Sequence, residues 1–349
     1  VYGATKQEVQ EKLRQLQVEA TNGTLSDVAR LTVGDYLQRW LDNTAKNKVR
    51  PTTHARYEQL VRLHINPILG AVQLGKLAAL HVEGFYAEME RREATAWTRK
   101  MAGTVLTNAL RHAVRLKLIA FNPAADVVKA RPDEKEMLFL IEPQVKQFLD
   151  AAQGYRLYAL FALAIGSGMR QGELLGLQWP DIDLDGGTLS VRRSLAQVKG
   201  EFILKEPKSK RSRRTIKLPR FVLDALQEHR HAMLKEGNIA GPVFCTKPGR
   251  FIGKSNLIRQ VFKPVLKRAN ERAVTLADER GTQAALLPNI RFHDMRHTHA
   301  TSLLAQGHSI KAVSQRLGHA SIELTLRVYA HVLPTDDALL ADGLDRMFG

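Results

Sequence analysis

An arginine follows a glycine-rich stretch in the sequence GSGMRQGE at positions 166–173. Because Arg170 stands at the start of a predicted helix, the backbone can aim its guanidinium at a phosphate group. Glu173 lies three residues further along, within reach of that guanidinium on the same helix face. Glycine-rich turns with an exposed ion pair are also common on protein surfaces. The stretch alone therefore predicts either an anion site or an ordinary surface turn.

The sequence HDMR at 293–296 places His293 and Arg296 on one helix face. A group that transfers protons beside a fixed cation suits phosphoryl chemistry. His293 and His297 could instead ligate zinc, as in an HExxH helix, but Asp294 stands where such a site needs a glutamate. We therefore favour phosphoryl chemistry. Two further histidines show no comparable pattern and are interpreted as packing or surface residues: His299 and His308.

A tyrosine, Tyr329, lies ten residues after His319 of the sequence LGHAS at 317–321. A phenol, with a pKa of about 10, is a poor nucleophile unless a base and a cationic phosphate site lie beside it. Taken alone, a tyrosine at this position is more typical of a hydrophobic core than of a catalytic site. Its interpretation therefore depends on the other motifs.

A strongly basic segment, KEPKSKRSRR at 205–214, is flanked by two predicted strands at 188–193 and 214–218. Most charged runs of this kind are solvated tips of β-hairpins. The alternative is a hairpin that reaches into a groove, where one lysine meets a reacting phosphate and the other cations hold the nucleic acid backbone.

Together and in this order, these motifs resemble the complete active-site signature of the tyrosine recombinases, most of all the integrases of phages and integrative mobile elements. The residues that carry the resemblance are Arg170, Glu173, Lys208, His293, Arg296, His319 and Tyr329. It spans about residues 30–333, because the helical region that opens with PTT at 51–53 and ends with NP at 122–123 resembles the family's core-binding domain. Residues 4–20 resemble the helix that closes the arm-binding domain of such integrases.

The resemblance implies DNA strand exchange through a 3′-phosphotyrosyl intermediate and a Holliday junction. Tyr329 would attack the scissile phosphate, while Arg170 and Arg296 bind its non-bridging oxygens and neutralise the charge of the transition state. The arginines would take the place of a metal ion, so no cofactor is expected. Integration or excision of a phage or mobile element is the expected outcome.

The resemblance also implies roles for the remaining signature residues. Lys208 would protonate the departing 5′-oxygen; it is preferred to Lys205 and Lys210 because its Lys-Ser pair resembles the family's Lys-Thr/Ser turn. The other roles are these: His293 accepts or orients the tyrosine proton, His319 donates a hydrogen bond to a phosphate oxygen, and Glu173 supports the arginine geometry.

The expected partner is double-stranded DNA at an attachment (core) site, bound by four copies of the chain, with accessory DNA-bending or directionality factors also expected. The residues predicted to contact DNA are Arg50, Thr52, Thr53, Arg56, Arg99, Lys100, Lys210, Arg211, Arg213 and Arg214. A tail from Pro334 carries apolar residues at near-helical spacing and is expected to dock in a neighbouring protomer rather than on its own domain.

Helical and strand periodicity predicts a mainly α fold with a small antiparallel β-sheet. Thr32 is predicted to cap a helix that carries Val33 to Leu41, and Pro51 to open a helix that ends at 67–70. The other predicted helices lie at about 79–92, 95–118, 143–152, 155–166, 171–177, 219–236, 255–271, 293–306, 309–317 and 321–330. The predicted domains are an amphipathic helix and linker at 1–26, a helical core-binding domain at 27–128, a linker at 129–137, a mixed α/β catalytic domain at 138–333 and a tail helix at 334–349. The first segment is expected to end a truncated arm-binding domain.

The overall composition agrees with a polyanionic partner. The 349 residues include 52 Lys and Arg against 35 Asp and Glu, a net charge of +17. The longest apolar stretch, 158–165, is too short to span a membrane, and the single cysteine excludes an intrachain disulfide, so we expect a cytoplasmic, nucleoid-associated protein. The alternatives that remain are a type IB topoisomerase, a DNA-binding regulator and a zinc hydrolase.

Overall fold

The computed structural model describes residues 5–11, 30–128, 130–133, 137–206, 213–319, 321–329 and 337–348. The chain divides into two compact units, Val1–Lys135 and Glu136–Gly349, which we call the N-terminal and C-terminal units. The N-terminal unit is helical, and the C-terminal unit combines helices with antiparallel strands. The predicted fold class, mainly α with a small antiparallel sheet, is confirmed.

The N-terminal unit begins with a short helix, α1, at 6–11; the rest of the amphipathic helix predicted at 4–20 lies outside the described residues. The helices that follow are α2 (Val33–Trp40), α3 (Lys46–Lys48), α4 (Pro51–Leu60), α5 (Asn66–Leu69), α6 (Ala79–Arg91) and α7 (Ala96–Arg115). Two π-helical turns, Leu41–Ala45 and Val61–Ile65, join α2 to α3 and α4 to α5.

Local capping explains where the first helices of this unit begin. The hydroxyl of Thr32 accepts a hydrogen bond from the backbone N–H of Asp35 at 3.1 Å, as expected of a residue that caps α2. Pro51 occupies the first turn of α4, where its missing N–H has no helical partner to lose. The phenol of Tyr36 donates to the backbone carbonyl of Ala109 at 2.8 Å and so ties α2 to α7.

The C-terminal unit contains most of the chain's regular structure. Its helices are α8 (Glu142–Ala152), α9 (Tyr158–Ser167), α10 (Gln171–Leu175), α11 (Arg220–Lys235), α12 (Lys254–Leu257), α13 (Lys263–Arg280), α14 (Asp294–Ala305), α15 (Ile310–Leu317), α16 (Ile322–Tyr329) and α17 (Asp337–Phe348). Its strands are β1 (Ile182–Asp183), β2 (Thr188–Val191), β3 (Ser194–Val198), β4 (Glu201–Lys205) and β5 (Arg214–Lys217). A π-helical turn, Ile258–Phe262, joins α12 to α13, which continues well beyond the predicted end at 271.

The strands form two antiparallel sheets. In the first, β2 lies between β1 and β5, with Thr188 opposite Lys217. The second is a hairpin of β3 and β4 that the sequence analysis did not predict, with Ser194 opposite Lys205. The basic segment therefore joins β4 to β5, strands of two different sheets, and is not the tip of one hairpin formed by the two predicted strands. The overlooked signal is the turn at Lys199 and Gly200, which both have positive φ.

Helix α9 is buried on every side and carries the glycine-rich motif at its end. Its residues pack between α8, α11 and α14, with Phe161 against Phe148 at 5.3 Å between ring centroids. Gly168 ends the helix at φ +65, and a Cβ there would lie 2.6 Å from Cδ2 of His299. Because only glycine fits both the conformation and the space, the chain can turn sharply into Arg170.

His299 is a packing residue, as interpreted from the sequence. Its Nδ1 lies 2.7 Å from the backbone carbonyl of Ile165, and its Nε2 accepts from Nε of Arg316 at 3.1 Å. Burial, followed by the charge of Arg316, lowers the pKa of His299 to about 3. His308 is exposed.

No helix in the described part of the chain is both long and apolar enough to span a bilayer.

The buried His299 generates a prediction about acid stability. Because its pKa is lower in the folded state than the usual 6.5, the unfolded chain binds the extra proton first as the pH falls. We therefore expect the free energy of unfolding to decrease between pH 6 and pH 4, with His299 alone contributing about 1.4 kcal/mol per pH unit. His299→Gln keeps a donor and an acceptor without titrating, and should reduce the slope by that amount.

Urea unfolding at a series of pH values measures this slope. His308→Gln, at an exposed histidine, is the matched control. Equal slopes in wild type and His299→Gln would contradict the prediction.

Candidate active site

Three arginines bind three consecutive backbone carbonyls at the carboxyl end of α15. Nε of Arg214 donates to the carbonyl of Arg316 at 2.7 Å, and Nη2 of Arg296 donates to that of Leu317 at 2.7 Å. Nη2 of Arg170 donates to the carbonyl of Gly318 at 3.0 Å. The last carbonyls of a helix have no partner within the helix and carry its negative dipole end, so they attract cations. The arginines thereby fix the turn that leads to His319.

Glu173 links two of these arginines. Its carboxylate accepts from Nη1 of Arg170 at 2.9 Å, from the backbone N–H of Arg170 at 3.0 Å and from Nη2 of Arg214 at 3.0 Å. Its side chain is 4% exposed. Burial alone would raise the pKa of Glu173, but the charges and hydrogen bonds of Arg214 and Arg170 outweigh it and lower the pKa below its usual value. Glu173 is thus ionised and binds two of the arginines.

Arg296 is the most deeply buried of the signature arginines. Nη1 donates to the carbonyl of Gly168 at 2.6 Å, which connects α14 to the turn before Arg170. Burial, then the charge of Arg170, lowers the pKa of Arg296 to about 9, so it is still a cation at neutral pH. With Arg214 nearby and Glu173 as the carboxylate between them, the cluster keeps a net positive charge that favours an anion.

Tyr329 lies at the end of α16 with 1% of its surface exposed. Its phenolic oxygen is 2.7 Å from Nδ1 of His297, on α14. Burial raises the pKa of Tyr329 to about 12, although Arg296 partly opposes it. The phenol is therefore protonated at neutral pH and needs a base before it can act as a nucleophile.

His319 follows the arginine-bound turn. Its Nδ1 is 2.7 Å from the hydroxyl of Thr325, on α16. Burial, then the charges of Arg296 and Arg170, lower the pKa of His319 to about 3, so the ring is neutral. His319 lines a cleft of about 450 Å³ next to Arg214. A neutral imidazole keeps one N–H, which can serve an anion in that cleft as a hydrogen-bond donor.

His293 immediately precedes α14. Its ring packs edge-on against that of His297, with 5.1 Å between centroids. Partial enclosure of the ring, then the charge of Arg296, lowers the pKa of His293. Among the described residues, no three His, Cys, Asp or Glu side chains are grouped as a metal ion would require.

The basic segment is only partly described. Lys208, Lys210 and Arg211 lie outside the described residues. Arg213 is 58% exposed and pairs with Glu206, at 2.6 Å between Nη2 and Oε2. Lys205, at the end of β4, has a buried Nζ without a hydrogen-bond partner in the described part of the chain.

Arg214 was grouped with the DNA-contacting residues of this segment, but its side chain is only 7% exposed. It points inward to Glu173 and the end of α15. A Cβ on Gly318, at φ +66, would lie 3.0 Å from Nη1 of Arg214, so the two residues fit closely. The position of Arg214 is that of a residue that supports the site.

The other residues predicted to contact DNA belong to the N-terminal unit, on helices α4 and α7 or immediately before α4, and these two helices pack against each other. They are Arg50, Thr52, Thr53, Arg56, Arg99 and Lys100. Arg50 and Thr52 are exposed, and Lys100 lies 5.8 Å from the ring centroid of Trp97. Arg99 forms an ion pair with Glu90.

The sequence analysis missed two contributions to the site. His297 was weighed only as a zinc ligand, although its position directly after Arg296 in the sequence was a signal that it lies near the reacting groups. Arg316 packs its guanidinium against His299 and donates to the carbonyl of Gly166 at 2.9 Å. No sequence pattern distinguishes Arg316 from an exposed arginine.

Comparisons with known proteins identify the family of the chain. The model of the phage integrase family matches residues 139–335, and the model of the phage integrase N-terminal SAM-like domain matches residues 32–89. The chain belongs to the phage integrase family, an enzyme family of tyrosine recombinases. The resemblance drawn from the sequence motifs is confirmed.

Several recombinases and integrases are similar to this chain over most of their own length. A tyrosine recombinase XerC-like protein of Caldanaerobacter subterraneus subsp. tengcongensis is 32% identical, over 99% of this chain and 91% of that protein. The ICEBs1 integrase of Bacillus subtilis is 26% identical, over 85% of this chain and 78% of that protein. The integrase of Mycobacterium phage L5 is 27% identical, over 91% and 80%. These relatives favour recombination over the topoisomerase and regulator alternatives.

Solved structures share the fold. The Tn1549 transposon integrase in complex with a circular intermediate DNA has a TM-score of 0.73 at 22% identity, over 91% of this chain and 99% of that chain. The lambda integrase tetramer bound to a Holliday junction has a TM-score of 0.63 at 18% identity, over 92% of this chain and 89% of that chain.

The pairing of Arg214 with Glu173 yields a stability prediction. Arg214→Ala leaves the buried carboxylate with one arginine fewer and the carbonyl of Arg316 without its donor. Breaking a buried ion pair on one side costs about 3–5 kcal/mol, and we expect the lower end because Arg170 still binds Glu173. Arg213→Ala, at an exposed ion pair, should cost about 0–1 kcal/mol.

Urea unfolding of the two variants measures the difference. Adding Glu173→Gln to Arg214→Ala should recover part of the lost stability, because the buried charge is then removed. If Arg214→Ala is no less stable than Arg213→Ala, the proposed coupling is wrong.

Proposed function

We propose that this protein is a site-specific DNA recombinase of the integrase type, which cuts and rejoins DNA through a covalent 3′-phosphotyrosyl intermediate and a Holliday junction, and so integrates or excises a phage or mobile element. The observation that carries the proposal is the hydrogen bond between Tyr329 and a neutral histidine beside a cluster of buried arginines. To attack a phosphodiester, a tyrosine needs a base that accepts the phenolic proton and positively charged groups that bind the phosphate. Both lie beside the buried phenol of Tyr329.

Phosphate binding is assigned to Arg170, Arg296 and His319. Each arginine uses part of its guanidinium to bind a backbone carbonyl and keeps other N–H groups for the non-bridging oxygens. Their positions are set by the folded chain before DNA arrives, so little reorganisation is needed as charge develops. His293, at the start of α14 next to Arg296, contributes to the same site as a hydrogen-bonding or proton-accepting group.

The free energy of the cleaved phosphodiester bond is conserved in the covalent bond between tyrosine and phosphate. A 5′-hydroxyl of a partner strand can attack it and reseal the DNA, so the chemistry needs no external energy source. Lys208 is assigned as the general acid for the 5′-oxygen, on the basis of its Lys-Ser pair in the basic segment.

The DNA partner is a double-stranded attachment site. The net charge of +17 supports it, since each phosphate contact releases counterions. We assign contacts with the DNA backbone to exposed residues near the start of α4 and α7, such as Arg50, Thr52 and Lys100. Two duplexes with two cuts each require four protomers, which would assemble on the DNA in the cytoplasm at the nucleoid.

The tail helix α17 supports an assembly of this kind. Leu344, Met347 and Phe348 are exposed, at 57%, 75% and 81% of their surface. A mostly apolar cleft of about 850 Å³ in the same unit includes Leu140 and Phe221 among its lining residues. We assign this cleft to the tail helix of a neighbouring protomer, because burying such side chains stabilises association.

The nucleophile provides the direct test of function. Wild-type protein incubated with nicked duplexes of randomised sequence should form an SDS-resistant covalent complex, and sequencing the attached DNA should return one core site. Tyr329→Phe should bind the recovered site with unchanged affinity but form no covalent complex, since it lacks the attacking oxygen. A covalent complex with Tyr329→Phe, or none with wild type, would contradict the proposal.

The general acid can be separated from cations that only hold DNA. A substrate with sulfur at the 5′-bridging position has a leaving group that needs little protonation. It should restore cleavage by Lys208→Ala to near the wild-type rate and leave any defect of the matched variant Arg213→Ala unchanged. Rates of covalent complex formation on the sulfur and oxygen substrates measure this. Rescue of Lys205→Ala instead would assign the proton to Lys205, and rescue of neither would exclude the segment from proton transfer.

A further inference from the structure

We propose that His297, rather than His293, accepts the phenolic proton of Tyr329 when the tyrosine attacks DNA. The inference rests on the proposed function and adds a catalytic residue to it, one that touches the reacting oxygen. It gives different roles to His297, on α14, and to His293, immediately before α14: His297 contacts the nucleophile and His293 serves the phosphate.

The geometry of the Tyr329 side chain carries the argument. Its oxygen lies 2.7 Å from Nδ1 of His297, and the side chain is almost completely buried. In the described part of the chain this is the hydrogen bond found for the phenol. In the tautomer of His297 that carries its hydrogen on Nε2, the phenol donates to Nδ1. A buried hydroxyl without such an acceptor would lose free energy. His293 makes no comparable contact with the phenol; its ring packs against that of His297.

The surroundings of His297 keep it an acceptor in the absence of DNA. Burial, then the neighbouring His293, lowers its pKa to about 4, so the ring is neutral at neutral pH. The tautomer with its hydrogen on Nε2 leaves Nδ1 as the acceptor that the phenol needs. The groups that face it are His293, Arg291, Asp294 and Arg296 from the same part of the chain, His319 from the turn before α16, and Tyr329 itself.

Bound DNA makes protonation of His297 more favourable, as transfer of the phenolic proton requires. A phosphodiester carries one negative charge, and placing it against Arg296 offsets the charge of that arginine, which opposes protonation of His297 in addition to burial, His293 and Arg291. His297 therefore becomes a stronger base once the substrate is in place. The phenol stays protonated in free protein and is activated on DNA.

The step is balanced in protons and bonds. The phenolic oxygen of Tyr329 forms a bond to phosphorus as its proton moves to Nδ1 of His297. The bond between phosphorus and the 5′-oxygen breaks, and that oxygen takes a proton from the general acid assigned above, Lys208. In resealing, a 5′-hydroxyl attacks the phosphotyrosine, and His297 returns the proton to the departing phenolic oxygen.

Replacing His297 by asparagine separates proton transfer from positioning. The amide oxygen of His297→Asn can lie near the place of Nδ1 and accept the hydrogen bond, but it does not take the proton. We expect the rate of covalent complex formation on a nicked core site to fall about 10²–10⁴-fold, the usual contribution of a general base. His308→Asn, at an exposed histidine, is the matched control and should cleave at the wild-type rate.

Rescue of cleavage by a more acidic phenol tests whether His297 acts as the general base. Difluorotyrosine incorporated at position 329 ionises at lower pH and needs less help from a base. It should restore cleavage by His297→Asn at least tenfold and should not restore His293→Asn. Cleavage by His297→Asn within a few-fold of wild type, or rescue of His293→Asn alone, would overturn the proposal. If His297→Asn does not fold, as judged by thermal unfolding, His297→Gln takes its place with the same expected results.

A measurement without DNA distinguishes failure of this inference from failure of the proposed function. The ¹⁹F resonance of 3-fluorotyrosine at position 329 should shift in His297→Asn and stay unchanged in His308→Asn. If wild type forms no covalent complex with any DNA, the recombinase proposal fails whatever the ¹⁹F result. If wild type does cut DNA but the ¹⁹F resonance is the same in wild type and His297→Asn, the hydrogen bond is absent and only the role of His297 is overturned.

Discussion

The carboxyl end of α15 is the constraint on which the rest of the site depends. Its last carbonyls have no partner within the helix, and buried backbone oxygens without donors are costly. Arg214, Arg296 and Arg170 supply the donors, each from a different element. Their charges in turn require Glu173, which is buried between two of them. Satisfying the backbone of one short helix therefore assembles a cationic site.

Burial, together with these charges, sets the protonation states of the histidines and the tyrosine around them. His319 and His297 are neutral at physiological pH because burial and nearby cations both oppose a further positive charge. The phenol of Tyr329 is neutral because burial disfavours its anion. In the proposed function, these uncharged groups serve as acceptor, donor and nucleophile around an anion site. Arrival of a phosphodiester supplies the negative charge that this arrangement lacks.

Helix positions were predictable because their signals are local. Thr32 caps α2, Pro51 opens α4, and Gly168 ends α9, each by an interaction within a few residues of the chain. The β3 and β4 hairpin was missed because Lys199-Gly200 is a weaker turn signal than Asn-Gly, and its strands are short. Because this hairpin was missed, the basic segment was predicted to connect two strands of one hairpin. In the structure it connects β4 to β5, which belong to different sheets.

The sequence by itself determined the chemistry, because the arginine, histidine and tyrosine motifs name the reacting groups and their order along the chain. Only the tertiary structure decided which of these groups touch. Arg214 meets Glu173 across 41 residues, and Tyr329 meets His297 across 32. Such contacts depend on how whole helices pack, and helical periodicity shows which face of α14 is buried but not which side chain another helix brings against it. The proposed choice of His297 over His293 as the base therefore rests on packing.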